Sequence, residues 1–327
     1  MREQTRQTPS GGAQVDAVAA IVQRLAVLLE AGVAPQSAWS YLPSGERVAR
    51  GGRLSAAARR HAHIVETIAR AISLGAPADA AIAVASRAAD ARTASAWRAV
   101  AAAWHVADES GAPNAPCLRD MAGSLRDIGH TQRTVDVALA APIATTRLMT
   151  ALPVVALGFG ALLGFDTLHT LSATVPGFAC LVAGSALLLL ARLWNRRLVR
   201  AATPAAVTTG LGVELMAVAM GGGVSLASAR RLTENTLLDF DLGEPDSMTV
   251  IDAIVELSHR AGVPAAELLR SEGRQLRREA QAAGQKVAAA LSIRLMLPLG
   301  LCVLPAFMLL GVAPLLLAVI SSTFASW

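Results

Sequence analysis

The sequence predicts an all-α protein: two unequal cytoplasmic helical bundles, related as an internal repeat, with about three transmembrane helices. Three observations predict it. Hydrophobic residues make up 54% and charged residues 16%, yet aromatics are only 4%, so the apolar content is mostly alanine and leucine, which favour helices. A glycine-to-proline turn signal recurs along the chain, and long uncharged runs end abruptly at clusters of arginine.

Residues 1–14, "MREQTRQTPSGGAQ", are polar and lack the apolar centre of a signal peptide, so they are expected as a disordered cytoplasmic tail. The first bundle is expected over 15–146. Its opening stretch "VDAVAAIVQRLAVLLEA" sets Val18, Ile21, Val22, Leu25, Leu28 and Leu29 on one stripe, with Asp16, Gln23, Arg24 and Glu30 elsewhere. That is the spacing of a half-buried helix. The turn signals follow: "GVAP" from Gly32, "GAP" from Gly75 to Pro77, "GAP" from Gly111 to Pro113, "MGGGVS" around Gly223, and "GVP" from Gly262 to Pro264. Glycine takes the left-handed conformation that closes a helix, and proline opens the next without losing a needed hydrogen bond. The expected result is a stack of antiparallel helical hairpins.

A transmembrane hairpin is expected over 147–193. Residues 148–165, "LMTALPVVALGFGALLGF", carry no charge and are long enough to cross a bilayer core; a second uncharged run, 170–191, ends at "RLWNRRLVR". The second, shorter bundle is expected over 194–293 and a C-terminal transmembrane segment over 294–327, where no charged side chain follows Arg294. Pro298, Pro305 and Pro314 interrupt that run, which reads as one kinked span or as two short helices folded back. Arginines orient the spans: Arg126, Arg133 and Arg147 precede the first, Arg192, Arg196, Arg197 and Arg200 follow the second, and Arg270, Arg274, Arg277, Arg278, Lys286 and Arg294 precede the third. Basic residues resist translocation, which places the N-terminus in the cytoplasm, the loop near Asp166 to Thr170 outside, and the C-terminus outside.

The duplication is legible residue by residue. "DESGAPNAPCLRDMAGSLR" at 108–126 aligns with "HRAGVPAAELLRSEGRQLRRE" at 259–279 so that Gly111 matches Gly262, Pro113 matches Pro264, Leu118 matches Leu269, Arg119 matches Arg270, Leu125 matches Leu276 and Arg126 matches Arg277. Each copy leads into an apolar run.

No catalytic, metal or cofactor constellation emerges. His61 and His63 stand two apart on a helical pattern and point to different faces. Gly221, Gly222 and Gly223 lack the following Lys and Ser/Thr of a phosphate loop, and Asp108 and Glu109 are neighbours rather than a facing pair. Cys117, Cys180 and Cys302 form neither a disulfide frame nor a CxxC pair. The spans lack the ionisable groups a transport route uses, and the arginines gather beside apolar runs rather than as a nucleic-acid footprint. A membrane-bound enzyme, the membrane subunit of an ATPase-driven transporter and a membrane scaffold or signalling protein are the rival readings.

The doubled Gly-x-Pro pattern with its leucines and arginines, the "ADESGAP" stretch at 107–113, "AGVPAAELLR" at 261–270 and the closing "LPLGLCVLPAFMLLGVAP" resemble the type II secretion system F domain family. Within it the chain is most similar to inner-membrane platform proteins of tight-adherence (Flp-type) pilus systems. The resemblance covers about 15–320; some tight-adherence relatives begin with an extra membrane segment, and the second bundle here is short. The resemblance implies a multi-pass platform in the inner membrane, without enzyme activity or cofactor. It would couple a cytoplasmic secretion ATPase to pilin subunits, as a homo-oligomer or beside a paralogous platform subunit. Arg119, Arg126, Arg270 and Arg277, at equivalent places in the repeats, are candidates to face that partner or lipid headgroups.

Overall fold

The computed structural model describes residues 11–49, 56–162, 175–201, 208–243, 246–294, 296–313 and 316, and all regular secondary structure among them is helical. In order these are α1 (Gly11–Glu30), α2 (Pro35–Ala49), α3 (Ala56–Ser73), α4 (Ala78–Ser86), α5 (Ala91–Ser110), α6 (Asn114–Leu162), α7 (Val175–Ala201), α8 (Leu211–Gly221), α9 (Leu226–Asp239), α10 (Ser247–Ala261) and α11 (Ala265–Arg294). A C-terminal helical run, Met296–Val312, alternates α and π turns. The chain folds as two compact units, one joining Met1–Thr134 with Pro204–Ala283 and the other joining Val135–Thr203 with Gly284–Trp327.

In the first unit, α1 begins at Gly11, so residues 11–14 of the expected tail are helical. Glycine is needed there for close approach, since a Cβ on Gly12 would lie 2.8 Å from the Gly129 carbonyl oxygen of α6. The stripe Val18, Ile21, Val22 and Leu25 is almost wholly buried. Helix α1 ends in a paired carbonyl closure: Gly32 N–H donates to Leu29 O and Val33 N–H to Leu28 O, both at 3.0 Å. Gly32, Gly75, Gly111, Gly223 and Gly262 all take positive φ, between 66° and 90°. Asp241 closes α9 the same way at φ 52°, and its carboxylate accepts from Arg98 at 2.7 Å. Pro35 opens α2 as its first residue, whereas Pro77, Pro113 and Pro264 stand one position before their helices. That shift costs nothing, because the N–H of the capping residue also lacks an intrahelical partner.

The expectation of two bundles gives way to a single core. Val22, Trp97, Val100 and Leu118 of the first segment and Leu211, Leu215, Ile251 and Leu269 of the second belong to one continuous buried cluster. Repeat-equivalent Leu118 and Leu269 are both fully buried in it. Burying the apolar faces of both segments against each other removes more apolar surface from water than two separate cores would. One of the close approaches between the segments is α5 on α8: a Cβ on Gly222 would fall onto the Ser110 carbonyl oxygen, so only glycine permits it. Trp39 stacks near Trp97 and Trp104, with centroids 6.5 and 6.2 Å away, under the first segment.

In the second unit, α7 packs against the C-terminal run through the buried small residues Gly184 and Ala191, seven apart. Leu310 fills the notch at Gly184, and Cys302 and Val303 pack on Ala191, so the two run antiparallel. The run continues in αR conformation through Pro305, with π turns at Leu299–Val303 and Met308–Val312. Widened turns of this kind accommodate the proline ring and its missing donor within a continuous helix. Pro314, the loop at 166–170 and the last residues of the tail lie outside the described residues.

Candidate functional site: the cleft where the repeats meet

The opening turns of α6 and α11, the two copies of the repeated module, converge on α8. They leave a cavity of about 210 Å³ lined by Arg119, Asp120, Ser124 and Asp127 of α6, Glu214 of α8, and Arg270, Arg274 and Arg277 of α11. Three of the four arginines singled out from the repeat therefore share one cleft; Arg126 lies outside it, exposed on α6.

Their environments differ. Arg119 is 44% exposed and pairs with Glu30 of α1. Arg270 is 36% exposed and pairs with Glu267 one turn away at 2.9 Å. Arg277 is only 11% exposed and pairs with Glu214, itself 15% exposed. Arg277 is thus turned inward and is removed from the set of residues that a partner meets. The aligned arginine of the first copy, Arg126, is exposed on α6 and helps Arg133 draw down the Asp16 carboxyl.

Glu214 is the centre of the cleft. Its Oε1 lies 3.0 Å from the Ser124 hydroxyl, which is also 3.0 Å from the Asp120 carbonyl oxygen. Gly273 makes room for it, since a Cβ there would stand 3.3 Å from Glu214 Cγ. Burial pushes the Glu214 carboxyl above its ordinary value; Arg277 and Ser124 pull it back, while Asp120 adds to the rise. Beside it, burial raises the Cys117 thiol to about 12, with the Glu214 and Asp120 charges reinforcing the effect. A thiol held protonated in this way is a packing group rather than a nucleophile. The arrangement is a polar brace tying α6, α8 and α11 together.

Glu214 was not singled out from the sequence, although a signal existed: it is the lone ionisable residue in "LGVELMAVAMG". A charge on an otherwise apolar, buried helix needs a partner. Asp16 is a second case, raised by burial and drawn down by Arg133 at 2.9 Å. His61 is buried and His63 exposed on α3, and among the described residues no group of three His, Cys, Asp or Glu side chains gathers as metal ligands. Gly221 ends α8 and Gly222 caps it.

Among the described residues, two helices are long and apolar enough to cross a membrane, Gly12–Glu30 in α1 and Gly177–Asn195 in α7. Burial separates them. The α1 stripe is sealed in the first core, whereas α7 leaves Phe178, Val182, Leu189, Leu190 and Leu193 more than half exposed. Comparisons with protein-family models, curated proteins and solved structures find no match for the chain.

Proposed function

We propose that the protein is a multi-pass inner-membrane platform of a type II secretion or Flp-type pilus machine. In this reading the first unit is its cytoplasmic part and transmits the motion of a secretion ATPase to pilin subunits held beside the apolar helices. The observation that carries the proposal is the duplicated module. Each copy opens a long helix, α6 or α11, that begins in the first unit, ends in the second and leads into an apolar run. The α7 surface adds support, because an exposed face of Phe178, Val182, Leu189 and Leu193 has no stable place in water. Uncharged helices of this kind associate with other apolar helices by packing, which suits contact with pilin stems. The ATPase would dock on the outward arginines of α6, Arg119 and Arg126.

The test is co-purification of the full chain, solubilised in detergent, with the secretion ATPase of its own genome. We expect the ATPase to be recovered with the wild-type chain and lost with Arg119→Glu/Arg126→Glu. Recovery of a solute-binding protein in place of the ATPase would favour a transporter subunit and overturn the proposal.

A further inference from the structure

The two units differ in how their charges are matched. In the first unit arginines meet carboxylates: Arg98 with Asp241, Arg119 with Glu30, Arg133 with Asp16, Arg230 with Asp252 and Arg277 with Glu214. In the second unit, Arg192 and Arg197 of α7 and Lys286 and Arg294 of α11 are exposed and form no ion pair among the described residues. Neither α7 nor the sequence from Gly284 onward contains an aspartate or glutamate. Asp136 of α6, a described carboxylate of that unit, is exposed and likewise unpaired.

The antiparallel register concentrates these cations. With Gly184 against Leu310 and Ala191 against Cys302 and Val303, Arg197 and Arg294 fall at the same end of the helix pair, within about one turn of each other. Arg192 lies about one and a half turns from Arg197 on one side and Lys286 about two turns from Arg294 on the other, distances that long flexible stems span in part. Trp194, 36% exposed, sits between Arg192 and Arg197 in the chain, the place an indole takes at the boundary between hydrocarbon and headgroups. Before Arg192 the exposed residues of α7 are apolar apart from Ser185, whose hydroxyl donates to the Leu181 carbonyl.

From this we infer that the end of the α7 and C-terminal helix pair binds acidic phospholipid headgroups in preference to zwitterionic ones, through Arg192, Arg197 and Arg294. The inference rests on the membrane reading proposed above and adds a lipid class to it. A guanidinium fork matches two phosphodiester oxygens, and several cations without a carboxylate repel one another until a net anion is supplied. A phosphatidylcholine headgroup brings its own cation and leaves the repulsion in place; phosphatidylglycerol relieves it.

The experiment adds phosphatidylglycerol, phosphatidylcholine or inorganic phosphate to the full chain in neutral detergent and reads retained lipid by native mass spectrometry. Phosphatidylglycerol is expected to be retained over phosphatidylcholine, and each guanidinium replaced in the series Arg192→Gln, Arg197→Gln, Arg294→Gln to reduce that preference about fivefold. Glutamine keeps the stem, and an unchanged melting temperature in phosphatidylcholine shows that the variants fold. Equal retention of both lipids by the wild type, or an undiminished preference in the triple variant, overturns the inference. So does displacement of phosphatidylglycerol by millimolar phosphate, which would assign the site to a soluble anion. Flotation of the chain with phosphatidylcholine vesicles separates the two levels: a chain that floats without acidic preference sinks only this inference, and one that does not float sinks the platform reading with it.

Discussion

At the scale of single residues, the Glu214–Arg277 pair decides how firmly the repeats are joined. Removing one member of a largely buried pair leaves the other charge uncompensated, so Arg277→Met should lower stability by about 3–5 kcal/mol. Replacing both, as Glu214→Leu/Arg277→Met, should recover most of that loss, measured by thermal unfolding in one detergent. The pH dependence follows from the sign of the shift. A carboxyl raised on folding binds its proton more tightly in the folded chain than in the unfolded one, so its contribution to stability is greatest below the ordinary value of 4.5. That contribution falls as pH climbs through the raised value. Glu214→Gln should flatten stability across that window, while a variant as steep as the wild type would show that Glu214 does not titrate there. The Cys117 thiol, held near 12 by burial, should resist alkylation at pH 8 in the folded chain and react on unfolding. None of this pairing was visible in the sequence, because Ser124, Glu214 and Arg277 are far apart in the chain and no local rule joins them.

Among the helices, two glycines at close approaches should respond differently to the same substitution. A Cβ at Gly222 meets the Ser110 carbonyl, which is backbone and can move only with α5, whereas a Cβ at Gly184 meets the Leu310 side chain, which can turn aside. Gly222→Ala should therefore cost about 1–3 kcal/mol and Gly184→Ala distinctly less, as midpoint shifts in thermal unfolding. Turns were the most legible part of the sequence, because a glycine that must adopt positive φ beside a proline is purely local backbone chemistry; Gly32, Gly75, Gly111 and Gly262 show it. The α9 end was not legible, since Asp241 does the work of glycine there. Hydropathy also could not rank α1 against α7. Their composition is alike, with hydropathy 1.5 and 1.8, and only the partners folded over α1 tell them apart.

For the whole molecule, the sequence suggests a module written twice but not that the two stretches share one core, which is a property of tertiary packing among Leu118, Leu269 and their neighbours. The shared core carries a topological consequence: both cytoplasmic segments of the proposed platform must lie on one side of the membrane, although the proposed hairpin separates them in the chain. Single cysteines introduced as Ser37→Cys and Ala253→Cys, with Cys117, Cys180 and Cys302 replaced by alanine, report this directly. Both new positions are exposed in the first unit. A membrane-impermeant maleimide should label both in inverted inner-membrane vesicles and neither in intact cells. Labelling of either cysteine from outside intact cells would contradict the account.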